Sequence, residues 1–457
     1  MRSDAQAGGR RLEAAALATL PMLGVAAGGL NHLGGSDLLC IGAGLLLAVM
    51  VLFRPPPDDF WRAAWPVLAL AGGAVGWAAL SLARAWVPGA GTPVAPDLGV
   101  PALLGAIGAI GALLCGAVAG ERPIQLARLA DWSLLWGCAG LLLSLAALRW
   151  DAGWSPWITD DEGRFLGTLG NANAAGVVYG ALAVLALARA LGGDASPWRS
   201  RAPSRCRAAI YAHWAALALL LAGCLLTASR SGAAMTAAAL GAVLWRSGVG
   251  RRRTWLVLAL AGAAVVLGAS DRLFERFGHL PDETGLRALL WRHNWEVAWG
   301  APLFGHGPGS FPVVNLRSLT ELLDAQAMWM VNSPHNIGLR LIIEGGLPCL
   351  LLAVGGAVTL AVQVARRRPL DLMETALAAA VAIVLGSALV DIALEVPAIT
   401  ALALSWTGLL WGRAIGRSSN VRIPGPRLDP ARREGPVAAG RARGVEQPVA
   451  HFGRQPP

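Results

Sequence analysis

The sequence predicts an all-α polytopic membrane protein with about twelve transmembrane helices and one large extramembrane loop. Three observations predict it. Of its 457 residues, 55% are hydrophobic and 14% charged, and the mean hydropathy is +0.54. That balance makes the bilayer, not water, the solvent for most of the chain. The apolar residues also come in continuous runs of about 20, the length a helix needs to cross a ~30 Å hydrocarbon core, and they do not alternate as barrel strands do. Finally, arginines gather in every second connection between those runs.

The expected spans are 13–30, 38–53, 64–83, 99–119, 132–149, 172–191, 209–228, 231–245, 254–269, 336–364, 374–394 and 397–414. The eighth is short and rich in Ala and Gly. The first is expected to remain a span, because no small-residue cleavage site followed by a soluble domain succeeds it. Residues 1–12 read as a cytoplasmic N-terminus, 13–414 as the membrane domain, and 415–457, rich in Pro, Gly and Arg, as a disordered basic cytoplasmic tail. No internal repeat is evident.

Orientation follows from arginine placement. Arg10, Arg11, Arg54, Arg62, Arg122, Arg128, Arg199, Arg201, Arg205, Arg207, Arg246, Arg251 to Arg253 and Arg366 to Arg368 all fall before the first span or in alternate loops. With both termini inside, every cluster is cytoplasmic. Residues 84–98, 150–171, 229–230, 270–335 and those around 395 then face outward. The net charge of +10 is accounted for by these topological arginines beside anionic headgroups, so it does not argue for nucleic acid. Cys40, Cys115, Cys138, Cys224 and Cys349 lie in or at the ends of spans, and Cys206 lies in a cytoplasmic loop. Their spacing supports neither a disulfide framework nor a metal site.

Three outward elements carry candidate chemistry. In DDEGRFLGTLGNANAAG, residues 160–176, Arg164 opposes the usual charge bias of such a loop, and Asn171 reads as the cap of the sixth span. In TASRSG, residues 227–232, Arg230 sits in a very short turn at the membrane surface. It either snorkels to headgroups or holds a phosphate there. The loop 270–335 contains LRALLWRHNWEVAW, expected as a helix capped near Thr284 and ended by Gly300 and Pro302.

Trp291, Trp295 and Trp299 form one stripe on that helix, suited to lying in the interface. Arg287 lies in its first turn on the Trp291 side, where a helix N-terminus already attracts anions. Arg292 is one step off the stripe. The segment SPHN, 333–336, is expected to open the tenth span, with Ser333 as N-cap, Pro334 at the first position and His335 in the first turn. The positive end of a helix disfavours imidazolium, and a neutral imidazole suits a general base. His279, His293 and His306 are less well framed. GHGPG, 305–309, reads as a turn and lacks the strand and lysine of a nucleotide loop.

With these residues in place, the chain resembles the O-antigen ligase and polymerase superfamily of bacterial membrane glycosyltransferases. The resemblance rests on RFLGTLGNANAAG at 164–176, SRSG at 229–232, R-x-x-x-W at 287–291, PLFGHGPGSF at 302–311, PHN at 334–336 and EGGLPCLLL after it. It covers roughly residues 160–360. It implies a C-type glycosyltransferase-like fold in the bacterial inner membrane, working on the periplasmic face without metal or cofactor. The implied donor is an undecaprenyl-pyrophosphate-linked glycan, and the acceptor is a hydroxyl on lipid A core or another glycan.

Residue by residue, His335 matches a histidine proposed to activate the acceptor hydroxyl. Arg287 and Arg230 match arginines proposed to grip the pyrophosphate, with Arg164 and Arg292 as further candidates. Asp391 corresponds to a family acidic residue, and Glu395 is an equal contender for that match. The PHN and SR segments favour a ligase over a polymerase of the same superfamily. A multi-pass transporter is the rival of another class, but it would place ionisable groups near the bilayer midplane, where this chain carries Ala, Leu, Gly and Val.

Overall fold

The structure, a computed structural model, describes residues 2–30, 34–53, 55–87, 93–120, 126–150, 163–192, 203–248, 280–319, 328–366 and 369–420. The chain is all-helical there. Its helices are α1 (Arg2–Ala26), α2 (Gly35–Phe53), α3 (Asp58–Ala83), α4 (Pro96–Gly120), α5 (Leu126–Arg149), α6 (Ala172–Ala190), α7 (Pro203–Leu226) and α8 (Arg230–Arg246). There follow α9 (Leu280–Trp299), α10 (Phe311–Ser318), α11 (Ile337–Ala365), α12 (Leu372–Ser387) and α13 (Pro397–Asn420). Eight described helices are long and apolar enough to cross a membrane, and the apolar parts of α1 and α12 are shorter. The expected ninth span, 254–269, and the tail beyond 420 lie outside the described residues.

α6 is the centre of the bundle. Almost every one of its residues is buried, because α7, α8, α12 and α5 all pack around it. A helix apolar on every side and built of Ala, Val and Leu suits that position. α4 and α13 pack most intimately. A Cβ on Gly116, Gly120 or Gly408 would collide with the backbone of Ser405, Leu409 or Leu113. Small residues four apart let helix backbones meet where apolar burial against lipid gives little drive.

Two expected boundaries shift. The predicted span 374–394 ends at Ser387, and residues 388–396 form a linker with a short 3-10 turn at Ala393–Glu395. The apolar run misled because Ala388, Leu389, Val390 and Ile392 are hydrophobic yet non-helical. The helix α9 begins at Leu280, so Thr284 lies inside it rather than capping it. Gly300 ends it as expected, its N–H returning to the Val297 carbonyl at 3.0 Å.

α11 is broken near its start. Gly346 has φ 76 and ψ 177, and Pro348 supplies no N–H to the Glu344 carbonyl four residues back. The GHGPG turn fills the gap. His306 N–H donates to the Ile343 carbonyl at 2.7 Å, Gly307 N–H to the Glu344 carbonyl at 3.1 Å, and Leu347 N–H to the Pro302 carbonyl at 2.8 Å. The Ile343 and Glu344 carbonyls and the Leu347 N–H at the break thereby find partners, as a partly buried site demands. Trp77 stacks on Phe304 at 5.0 Å between ring centroids and donates to the Leu303 carbonyl at 3.1 Å, which ties the plug to α3.

Candidate active site

One end of the bundle gathers polar residues from four separate stretches of chain. At its bottom lies Asp391, in the linker between α12 and α13, with its side chain 1% exposed. Four groups surround its two oxygens. His335 Nδ1 lies 3.4 Å from Oδ1, and the Ile392 N–H donates to the same oxygen at 2.8 Å. Asn173 Nδ2 donates to Oδ2 at 2.5 Å, and an Arg287 guanidinium nitrogen lies 3.5 Å from it.

Burial pushes the Asp391 carboxyl pKa up. The bond with His335, the Ile392 N–H and the charges of His335 and Arg287 outweigh burial and hold it below the usual value. Asp391 is thus an anion kept ionised under its partners.

Asn173 extends the cluster. Its Oδ1 accepts from Arg164 at 2.9 Å, and Arg164 Nε also donates to the Thr227 carbonyl at 3.3 Å. The TASRSG turn is therefore bonded to the RFLGTLGNANAAG segment. Asn171 caps α6 as expected, accepting from the Ala174 N–H at 2.9 Å. Ser229 caps α8 by accepting from the Gly232 N–H at 3.2 Å, and Arg230 is the first residue of that helix.

The SPHN segment departs from expectation. Asn336, not Ser333, is the N-cap of α11, its side chain accepting from the Leu339 N–H at 3.1 Å. His335 therefore precedes the helix instead of lying in its first turn, in a left-handed conformation with φ 51. The physical reason is the linker. Leu389 and Ala388 offer carbonyls to Asn336 Nδ2 and the Ile337 N–H, both at 2.9 Å, and these bonds set where the helix begins.

Arg164, Arg287, His335 and Asp391 are thus brought together, and Arg230 opens α8 just after the turn that Arg164 bonds. Arg292 is not part of the cluster. Its side chain is 81% exposed and lies 3.5 Å from Glu296 one helical turn on. Asp391, the acid matched to the family, is almost wholly buried and faces His335, Asn173 and Arg287. His293 and His306 are engaged elsewhere, with Ser318 Oγ at 2.9 Å and the Val297 carbonyl at 3.1 Å. His279 lies outside the described residues.

Asn173 was legible only as a second Asn beside a helix cap. Its bridging role depends on Asp391, 218 residues away in sequence.

Beside the cluster, α9 and α11 enclose an open groove of about 510 Å³, mostly apolar, lined by Trp291, Arg292, Trp295, Asn336, Leu339 and Leu350. Trp295 and Trp299 meet edge to face at 5.6 Å. The groove runs from Asn336, next to His335, past the break in α11 to Leu350. The arrangement offers a ring nitrogen oriented by a buried carboxylate, guanidinium groups at the same rim, and an apolar channel leading away.

Residues 215–354 match the family model for O-antigen ligases. No curated protein matches the chain. The matched segment runs from within α7 to within α11 and holds Arg230, Arg287 and His335, with Arg164 and Asp391 on either side of it. The match supports membership of the O-antigen ligase superfamily and, in general, a ligase- or polymerase-type function.

Proposed function

From the O-antigen ligase domain at residues 215–354, we propose that this protein is a membrane glycosyltransferase. It moves a glycan from a polyprenyl-pyrophosphate carrier to an acceptor hydroxyl, as a ligase, on the outward face of the bacterial inner membrane. The observation that carries the reading is the His335–Asp391–Arg287 cluster: one buried carboxylate joined to an imidazole 31% exposed and a guanidinium 36% exposed.

Asp391 favours the tautomer with the proton on Nδ1, so Nε2 is left to accept one. An acceptor hydroxyl gives its proton to His335 Nε2 while its oxygen bonds to the anomeric carbon. The bond from that carbon to the pyrophosphate oxygen breaks, and its electron pair leaves with the lipid carrier. Proton withdrawal of this kind contributes about 10²–10⁴-fold. Asp391 stabilises the imidazolium that forms, acting as an orienting group rather than a ligand of the substrate.

The pyrophosphate gains negative charge as it departs. Arg287 stabilises that charge, assisted by Arg164, which reaches the same carboxylate through Asn173, and by Arg230 at the start of α8. Attack opposite the leaving group inverts the anomeric centre. The groove along α9 and α11 suits the carrier's isoprenoid chain, with the tryptophans at the headgroup level.

The length profile of the host's surface glycan, compared between wild type and His335→Ala, tests this reading. Bare acceptor with intact polymer retained on the lipid carrier is expected. Acceptor bearing a single repeat would instead identify a polymerase. An unchanged profile from a normally expressed variant would overturn the catalytic reading.

A further inference from the structure

His335 is one of three non-glycine residues with positive φ among the described residues, alongside Leu30 and Ala228. The left-handed conformation is disfavoured for an L-residue, so it persists only where neighbouring bonds impose it. On the C-terminal side, Asn336 and Ile337 are held by the carbonyls of Leu389 and Ala388.

The N-terminal side is held by a chain of polar contacts. The His335 N–H donates to Ser333 Oγ at 3.0 Å, and Ser333 Oγ donates to Glu395 Oε1 at 2.6 Å. A hydroxyl has one proton, and a carboxylate can only accept. Burial raises the Glu395 carboxyl pKa, and the Arg340 charge opposes that rise. With Arg340 on its other oxygen, Glu395 accepts the Ser333 proton and so fixes which way Ser333 points it, leaving a lone pair aimed at the His335 N–H. A donor at position 395 would reverse that polarity.

Glu395 is itself held in place. Its other oxygen receives Arg340 at 2.6 Å, and Arg340 Nε reaches Glu344 Oε1 at 3.3 Å. Glu344 accepts the Gly309 N–H at 3.0 Å and the Phe311 N–H at 3.4 Å. One continuous network thus runs from the GHGPG plug in the broken helix to the backbone of His335.

We propose that Glu395, acting through Ser333, is the positioning residue that sets the backbone conformation of His335, with Arg340 and Glu344 coupling it to the GHGPG plug. The inference rests on the reading of His335 as the base. The linker between α12 and α13 then holds that base at two points: Asp391 orients the ring and Glu395 the backbone. Both Glu395 oxygens are occupied, so it acts on geometry and touches no substrate. A sub-ångström to 1 Å displacement of Nε2 suffices for a loss of up to about 10²-fold.

The test uses full-length protein in nanodiscs with a synthetic polyprenyl-pyrophosphate-linked oligosaccharide as donor and lipid A core as acceptor. The ring signal of His335 is followed by NMR after ¹⁵N-histidine labelling and assigned by its loss in His335→Asn. Ser333→Ala and Glu395→Gln are each expected to lower kcat about 10- to 100-fold, leave the donor KM within about twofold and move the His335 signal. The double variant should be no worse than the poorer single one, because both act through one bond, and Ser333→Thr should recover most of the loss.

Multiplying effects, an unmoved His335 signal, or a Thr variant no better than Ala would overturn the proposal. Failure of the parent reading looks different. Full transfer by His335→Ala removes the base assignment, whereas the NMR shift reports the positioning contact irrespective of turnover.

Discussion

Two clusters of buried charge, around Asp131 at one end of the helix bundle and around Asp391 at the other, are built in opposite ways. At the end away from His335, ions are spent on each other. Arg189, with its side chain 3% exposed, grips Asp131 through Nε at 2.7 Å and a second nitrogen at 2.9 Å, and His213 joins the same carboxylate at 3.0 Å. Arg413 likewise reaches Glu374 at 2.6 Å and Asp371 at 3.4 Å, where those two acids form a capping box on α12. The shorter of these contacts, 2.6 to 2.9 Å, pair each arginine with a carboxylate and tie α5 to α6 and α12 to α13.

At the His335 end the contacts to Asp391 from charged partners are longer, 3.4 and 3.5 Å, and those partners are about one-third exposed. Only the anion is buried. A charge network closed on itself serves stability, whereas one whose cations face outward over a buried carboxylate is available to an anionic ligand and a proton.

Substitutions at the two ends should therefore separate activity from stability. The largest effect is expected for Asp391→Asn, which keeps the shape but removes the charge that orients His335. Transfer should fall about 10²–10⁴-fold, measured as turnover per folded molecule. The same residue links pH to stability. Its folded pKa is depressed, so its stabilising contribution is present above the ordinary carboxylate value of about 4 and is lost as pH falls through the lower folded value. Melting temperature in detergent should accordingly fall more steeply with acid in wild type than in Asp391→Asn.

Arg287→Ala should follow, lowering kcat about 10²–10³-fold by removing a cation from the departing pyrophosphate, with partial recovery in Arg287→Lys. Loss of donor affinity alone, with kcat intact, would remove its assigned role in the transition state.

At the other end, Arg189→Ala should cost about 2 kcal/mol of stability, less than a fully buried pair because Asp131 is 34% exposed. Turnover of the folded fraction should stay at wild-type level. A large loss of turnover there would break the division between the two ends. The smallest effect is expected for Arg292→Ala, where an exposed ion pair is removed. Stability should change by under about 0.5 kcal/mol and transfer by no more than a few-fold.

Much of the site was legible in local patterns. Arg164, Arg287 and His335 stood out as ionisable groups in polar segments between apolar runs. Arg292, one step off the tryptophan stripe, was a weaker candidate but still a candidate, since a sequence shows that two arginines share a helix without showing which of them meets the core. Asp391 was visible as an acid near the outer end of the expected span 374–394, but the non-helical linker that carries it was not, because 388–396 looked like more of a membrane span. Glu395 was legible only as a contender for the family's acidic residue, and Arg340 carried no signal of its own. Their meaning comes from Ser333 and Glu344, which only folding brings to them.

The sequence by itself determined the solvent and the secondary structure: long apolar runs in a chain of low charge have no choice but to be helices in a bilayer, where each backbone group must bond within its own segment. It also determined where the chain can be polar, and the arginine pattern proposed which way it faces. Tertiary structure alone decided the break in α11 and its plug, the start of that helix at Asn336, and the meeting of Asn173, Arg287 and His335 on one carboxylate. The reason is physical. Periodicity and hydropathy are summed over neighbours in sequence, whereas the position of a proton or a guanidinium depends on hydrogen bonds between residues as far apart as Asn173 and Asp391, at 2.5 Å.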